Sequence, residues 1–253
     1  MLNIYWIQVR DLTLASLRAR YRKTFAGFIW VLLNPLIQFG VQSLVFKEFL
    51  RLDIPNYSLF LLGGLLPWIF ITSTISMGTG IFVSQSHLLK SFKINPMVII
   101  SSQILDNFFN FIVSVLIILI PVYFFYERPL LNIIALPLAF LPLLVTTASI
   151  TVALAITNVF FRDTSFLVGF VINLLFFLTP VFYPRELVPE TYQWIIDFNP
   201  LMYVIEPFRN LFIAPSWEEF LLSVLKGLGV SLIALRVSVL LWKRKQNAFY
   251  FKI

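Results

Sequence analysis

Six long apolar runs constrain the fold of this chain more than any other feature. They cover residues 28–46, 59–83, 98–125, 130–159, 166–182 and 220–242. A helix needs about 20 residues to cross roughly 30 Å of hydrocarbon. Because lipid offers no hydrogen-bond partners, a segment that crosses it alone must satisfy its own backbone groups, which a helix does. With 59% hydrophobic residues, the chain is therefore predicted to be a single-domain, all-α polytopic membrane protein with six transmembrane helices, residues 1–253.

The segments outside these runs have two predicted structures. Residues 1–26 place apolar side chains at helical spacing, which predicts an N-terminal amphipathic helix in the membrane interface. Residues 184–219 are too apolar for a solvated loop and too interrupted for a span. They are predicted to form a re-entrant extracytoplasmic helix pair, an external gate segment, between spans one to five in 28–182 and span six in 220–242. Residues 243–253 form the tail.

The distribution of charge predicts the orientation of the chain. The N-terminal segment has five basic residues against Asp11, and the tail adds four more basic residues. The stretch 183–219 has six acidic residues and two basic ones. Since basic residues favour the cytoplasmic side of a membrane, both termini are predicted to be cytoplasmic and the gate segment external. The net charge of +7 is thus a topology signal and does not indicate nucleic-acid binding.

The residue types exclude several classes of chemistry. The chain has no cysteine and one histidine, His87, which argues against thiol chemistry and a multi-histidine metal site. Its acidic residues are isolated along the chain, whereas a membrane-embedded glycosyl- or phospho-transferase needs convergent carboxylates or histidines. It has no glycine-rich nucleotide-binding motif, so any ATP-driven function needs the ATPase on another polypeptide.

Several motifs together resemble the membrane subunit of ABC type-2 transporters that export polysaccharides such as O-antigen, capsule or teichoic acid. The resemblance covers nearly the whole chain. It rests on Arg20-Tyr21 with Gly27, Trp30 and Asn34-Pro35, on Gly64 with Pro67-Trp68, on Asn158 with Phe161-Arg162-Asp163, on Thr179-Pro180 with Phe182-Tyr183, and on Asn199-Pro200.

The resemblance implies an ABC type-2 fold and a function without covalent chemistry on this chain. This chain would be the permease subunit, present as a homodimer with two copies of an ABC ATPase that binds ATP and Mg, in the bacterial cytoplasmic (inner) membrane. The substrate would be a lipid-linked glycan. It would leave the cytoplasmic leaflet of the membrane lipid bilayer. Two alternatives stay open: an ABC type-2 exporter of a drug or lipid, and the membrane-embedded transferase.

The resemblance also assigns an ATPase-coupling role to the stretch between the second and third runs and to the end of the N-terminal segment. A solvated basic loop is the alternative for this stretch. In the stretch, Leu88, Leu89 and Phe92 share one face of a short helix. The coupling residues predicted are Arg20, Tyr21, Leu88, Leu89, Lys90, Phe92 and Lys93.

Aromatic side chains on the first and fifth runs are candidates for the substrate path. Aromatic faces pack against the C–H faces of sugars without strongly selecting one sugar. Lipid-facing or core packing is the alternative for most of the 28 phenylalanines. The candidates are Phe28, Trp30, Phe39, Phe166, Phe170, Phe177, Phe182 and Tyr183.

Two pairs of charged residues complete the predicted sites. Arg162 and Asp163 are adjacent at a turn between the fourth and fifth runs, where they are interpreted as a structural pair and, by the resemblance, a conformational turn. Asp106 and Arg236 lie inside runs. Since intramembrane charges tend to pair or face water, we expect them to pair within a protomer or across a dimer. Snorkelling of Arg236 to the interface is the alternative.

Overall fold

The structure is a computed structural model that describes residues 2–22, 27–92, 94–126, 131–213 and 216–253. The side chains of residues 2, 3, 20–22, 27, 28 and 131 lie outside this description. All regular secondary structure in the described ranges is helical, which confirms the predicted all-α class.

Thirteen α-helices occur in the described part of the chain. In chain order they are α1 (Leu2–Arg22), α2 (Gly27–Ser43), α3 (Tyr57–Thr79), α4 (Ile81–Ser84), α5 (Ser86–Phe92), α6 (Pro96–Ser114), α7 (Ile120–Phe125), α8 (Leu131–Ile134), α9 (Leu136–Phe160), α10 (Thr164–Leu178), α11 (Glu190–Asp197), α12 (Pro200–Ile213) and α13 (Trp217–Lys252). Two π-helical segments, Leu44–Phe49 and Val115–Leu119, extend α2 and join α6 to α7, and a 3₁₀ turn covers Arg185–Leu187.

Five of the predicted spans coincide with helical stretches that are long and apolar enough to cross a membrane. These stretches are Ile29–Phe49, Tyr57–Thr79, Pro96–Phe125, Asn132–Phe160 and Trp217–Lys252. The chain is therefore a polytopic membrane protein. A count of six spans stays a prediction, because the helix at the fifth predicted span is shorter than the sequence indicates.

The fifth predicted span, 166–182, is wrong in its extent. The helix there, α10, has 15 residues and ends at Leu178, which corresponds to a length of about 22 Å. Thr179 leaves the helix with φ −103° and ψ 128°, because a residue before proline is disfavoured in the helical region and Pro180 has no N–H to donate. Residues 179–182 are nevertheless buried in the bundle.

The bundle is organised around α3. In this span 78% of the apolar window is buried, whereas the corresponding figure for the first span is 6%. α3 packs against α9, α12, α6, α10 and α2, so the first span lies at the periphery of the protomer. α13 packs against α9 and α12, and Gly227 permits this, since a Cβ atom there would lie 2.8 Å from the Tyr203 carbonyl oxygen.

The two short helices predicted in the external segment are present as α11 and α12. α12 is packed inside the bundle against α3 and α13 and buries Val204, Ile205, Phe208, Leu211 and Phe212. The helix α1 is also confirmed, and Tyr5 contacts the beginning of α6 through hydrogen bonds to the Met97 carbonyl and Ser101 hydroxyl. Location of α1 in the membrane interface and gating by α11 and α12 stay predictions.

Both ends of the chain lie at the same end of the bundle. α1 packs on the first turns of α6, and the predicted tail continues α13 as a helix to Lys252. Phe249 in this extension is fully buried and packs edge-on against Phe82 of α4. The opposite end holds the beginning of α3 and the segment 178–186. The structure thus puts both termini on one side, and the cytoplasmic identity of that side stays a prediction.

Candidate functional site

The break after α10 is closed by Arg209, a side chain that projects from α12. One terminal nitrogen, Nη2, donates to the carbonyl oxygens of Pro180 at 2.7 Å and Val181 at 2.9 Å. The guanidinium carbon lies 4.2 Å from the centre of the Phe60 ring, a cation–π geometry. Gly64 makes this possible, because a Cβ atom at that position would collide with Nη2. We call this arrangement the Arg209 clamp.

Three further side chains satisfy backbone oxygens or polar groups around the same break. Asn199 donates to the Thr179 hydroxyl at 2.8 Å and accepts from the Leu201 N–H, which joins the break to the first turn of α12. Tyr57 donates to the Phe182 carbonyl and Tyr183 donates to the Phe177 carbonyl. A proline in a membrane helix frees a backbone carbonyl, which neighbouring groups or water must satisfy. The structure supplies protein donors, so α10 and α12 are held as one unit.

A cavity of about 510 Å³ opens beside the clamp, between the beginning of α3, the break and α12. Its lining is charged with both signs: Asp53, Arg185, Glu186, Glu206 and Arg209. Burial lowers the pKa of Arg209 to about 10, opposed by the nearby carboxylate of Glu206. Burial raises the pKa of Glu206 against the opposing charges of Lys226 and Arg209. Arg209 therefore stays charged at neutral pH inside a partly desolvated site.

An ion pair fixes the start of the external segment to the end of α11. The Arg185 guanidinium donates to both carboxylate oxygens of Asp197, from Nε at 2.8 Å and from Nη2 at 2.7 Å. The hydrogen bond from Arg185 lowers the pKa of Asp197. Such a two-point contact sets orientation as well as distance. Arg185, the 3₁₀ turn and α11 thus form one compact element on the bundle surface.

The predicted path aromatics divide into an exposed set and a packed set. Phe166, Phe170 and Phe177 on α10 are 79%, 63% and 67% exposed, and Trp30 on α2 is 59% exposed. Phe182 is buried and stacks on Phe46, while Phe39 and Tyr183 are half-buried. The Phe28 side chain lies outside the described residues. In this protomer, only the exposed set is available to a lipid, a second copy or a substrate.

The predicted coupling segment is a helix, α5, with one anchored side and one free side. Leu89 is buried against a cluster that includes Phe82, Ile156 and Phe249. Leu88 packs partly on the same cluster, whereas Lys90 is exposed and Phe92 is 71% exposed. Leu89 therefore positions the helix, and a partner would meet Phe92 and Lys90. Lys93 and the side chains of Arg20 and Tyr21 lie outside the described residues.

The two predicted pairs of charged residues lie in different surroundings. Arg162 and Asp163 are both exposed at the turn before α10, and no ion pair joins them. The roles of this turn as a structural pair and in conformational change stay predictions. Asp106 is 2% exposed on α6, whereas Arg236 is exposed on α13. The two helices do not pack extensively, and pairing of these two charges, within a protomer or across a dimer, stays a prediction.

Sequence reasoning missed the residues that build the clamp. Arg209 was counted only as a loop charge, although a lone arginine on an apolar helix is a recognisable signal for a buried partner. Gly63 and Gly64 permit the close approach of Arg209 to α3, but the sequence does not identify Arg209 as their partner. The described residues contain no group of three His, Asp or Glu side chains that could hold a metal ion.

The architecture defines a class: a multi-span helical membrane domain with a buried helix, α12, towards one end and an anchored surface helix, α5, at the other. Its family is shown by sequence comparison. The profile of the ABC-2 type transporter family matches residues 7–213, and the chain belongs to this family. The family resemblance seen in the motifs is thereby confirmed.

Relatives with curated names cover most of the chain. An O-antigen export system permease protein RfbA from Klebsiella pneumoniae is 28% identical over 229 residues, which are 90% of this chain and 88% of that protein. The RfbA protein of Myxococcus xanthus is 31% identical over 199 residues, 78% of this chain and 76% of the relative. The polysialic acid transport protein KpsM of Escherichia coli is 22% identical over 245 residues, 96% and 95% of the two chains.

Proposed function

We propose that this chain is the permease subunit of an ATP-driven exporter that moves a lipid-linked polysaccharide across the bacterial cytoplasmic membrane. The observation that carries the proposal is the match to export permeases for O-antigen and to a polysialic acid transport protein over most of both chains. Membership of the ABC-2 family supports the transport mechanism. The export of O-antigen-type or capsule-type polymers fits these relatives better than the export of a drug or lipid.

ATP hydrolysis takes place on a separate subunit in this proposal. The sequence contains no glycine-rich nucleotide-binding loop of its own. Two copies of an ABC ATPase, each with ATP and Mg, would bind at the end of the bundle that holds both termini. That end is then cytoplasmic, in agreement with the basic residues found there.

The exposed side of α5 is the proposed contact with the ATPase. Phe92 and Lys90 face outward, while Leu89 is inserted into a cluster drawn from α4, α6, α9 and the end of α13. Because packed cores move as units and do not deform continuously, a push on α5 displaces these four helices together. α9 packs on α3, so the displacement reaches the centre of the bundle.

Two copies of the chain would form the path. The first span is peripheral, with 6% of its apolar window buried, and the aromatic residues of α10 are exposed. Pairing two protomers through α2 and α10 would cover these surfaces and place Trp30, Phe166, Phe170 and Phe177 around a shared passage. Their aromatic faces would contact sugar rings as the polymer slides past.

Affinity purification of the tagged chain from native membranes, followed by mass spectrometry, tests the coupling arrangement. We expect an ABC ATPase with a Walker motif at equal stoichiometry, and its loss from a Phe92→Asp variant. Phe251→Asp is the matched control, since Phe251 is 91% exposed at the same end of the molecule but outside α5. Purification of wild type without any ATPase, or equal loss in both variants, would contradict the proposal.

A further inference from the structure

A second cavity, of about 170 Å³, lies between the first, second and third spans. Five uncharged polar side chains line it: Asn34 from α2, Ser73 from α3, and Asn107, Asn110 and Ser114 from α6. Among the described side chains, no Asp, Glu, Lys or Arg lines it. Trp30, which is 59% exposed, forms part of its wall. We call these five polar residues the amide seam.

Asn107 places the amide seam near the middle of the membrane. Asn107 is eleven residues beyond Pro96, the first residue of α6, which corresponds to about 16 Å along the helix axis, or half of a roughly 30 Å hydrocarbon layer. Polar side chains at such depth are costly in lipid and usually face the bundle interior or a water-filled space. Three of the five come from one face of α6, at spacings of three and four residues.

The Asn107 side chain has a donor that is available to a ligand. Asn107 is 6% exposed, and its Nδ2 donates to no group in the described part of the chain. Gln38 donates to the Asn34 side chain within α2, and the Ser114 hydroxyl donates to the Asn110 carbonyl within α6. Each of these two bonds joins residues of the same helix, so neither bond connects one helix to another. Buried donors of this kind call for a partner.

The backbone next to the seam is unusual as well. Directly after Ser114 the chain forms the π-helical segment Val115–Leu119. Such segments are rare and occur often at functional sites, because they widen the helix and redirect its side chains. The segment contacts both α2 and α3 and so borders the cavity from one end.

We propose that the amide seam binds sugar hydroxyl groups of the passing glycan. Asparagine side chains both donate and accept, as do hydroxyl groups, so an uncharged amide cluster complements a neutral sugar. Trp30 offers a flat apolar face beside them. The inference rests on the proposed export function and adds a recognition site on the third span, away from the aromatic residues of α10.

Single-cysteine labelling tests this site, since the chain has no cysteine of its own. Asn110→Cys and Phe109→Cys place thiols on adjacent positions of α6, the first lining the cavity and the second 44% exposed on another face. A thiol that faces hydrocarbon stays protonated and unreactive, as we expect for Phe109→Cys. A hydrophilic methanethiosulfonate reagent should therefore label Asn110→Cys about tenfold faster than Phe109→Cys. Labelling should fall in membranes that contain the host's lipid-linked glycan and return in membranes from cells that cannot attach the first sugar to the lipid.

Export by the complete transporter gives the second measurement. Asn107→Leu should lower export about fivefold, the effect of one lost hydrogen bond to the substrate, and Asn107→Gln should lower it less. Thr146→Val is the control, because Thr146 bonds to Ser231 between α9 and α13 and does not line the cavity. Its export should stay near wild type at equal protein level.

Each outcome decides the proposal. Glycan-dependent protection of Asn110→Cys together with the Asn107→Leu defect supports it. Labelling without protection shows a hydrated seam that holds no glycan, and absence of labelling shows a dry one; both overturn it. If Asn107→Leu does not accumulate, the cysteine result decides. Normal export by cells that lack the whole chain would refute the proposed function, whereas normal export by Asn107→Leu alone would refute only the site.

Discussion

Replacement of Arg209 by methionine should destabilise the protein by only about 1 kcal/mol, although it removes two short hydrogen bonds. The Pro180 and Val181 carbonyls would lose the donor that lies at 2.7 and 2.9 Å, and two unsatisfied buried carbonyls cost about 4 kcal/mol together. In return, the charge no longer has to be buried. Burial lowers the pKa of Arg209 from 12.5 to about 10, which corresponds to about 3 kcal/mol.

Arg209→Lys should be more destabilising than Arg209→Met. Lysine keeps a compact, strongly hydrated charge but lacks the planar fork that reaches two carbonyls and stacks on Phe60. It therefore keeps most of the desolvation cost and loses part of the bonding. This order is the reverse of what conservation of charge alone would suggest.

The unfolding midpoint of the purified protein in detergent measures both effects. For a chain of this size, about 1 kcal/mol corresponds to about 2–4 °C, so Arg209→Met should fall by that amount and Arg209→Lys by more. Arg185→Met is the control, since it removes an arginine from an exposed ion pair of the same segment and should lower the midpoint less than Arg209→Lys does. A lysine variant as stable as wild type would refute the clamp.

Three further results are expected. Leu89→Ala should cost about 2–5 kcal/mol because its side chain is buried, whereas Phe92→Ala should change stability by less than about 0.5 kcal/mol, as compared by thermal unfolding of the two variants. Phe249→Ala should destabilise the protein by about 3–5 kcal/mol and lower the unfolding midpoint accordingly, because Phe249 is buried although the sequence places it in a tail. A midpoint close to that of wild type would contradict the packed extension of α13. The hydrogen bond from Arg185 lowers the pKa of Asp197, so the pair adds stability above the unfolded pKa of about 3.9 and loses it as pH falls through the lowered value. The difference in midpoint between wild type and Asp197→Asn should thus shrink below about pH 4, and a difference that grows there would refute this linkage.

Hydrophobic length predicted most of the fold, because every span must bury its backbone in its own helix. The first, second, third, fourth and last apolar runs therefore became helices at the expected places. The fifth run gave a wrong helix end, because its apolar residues continue past Thr179-Pro180 whereas the helix ends at Leu178. Apolar composition indicates that a segment is buried. In the sequence, however, a buried non-helical segment whose carbonyls are bound by side-chain donors cannot be distinguished from a buried helix.

The candidate sites were less predictable because they depend on contacts between distant segments. Leu89 and Phe92 share a helical face in the sequence, yet one is anchored by Phe249 and the other is free, and Phe249 is 160 residues away from Leu89 along the chain. Arg209 and Gly64 likewise meet only after folding.

The distribution of glycan in cells that lack this chain tests the export function most directly. Export by this subunit predicts that surface polysaccharide disappears, that lipid-linked glycan accumulates on the cytoplasmic side, and that wild-type protein restores the surface polymer while Phe92→Asp does not. Unchanged surface polysaccharide in the deletion strain would contradict the account.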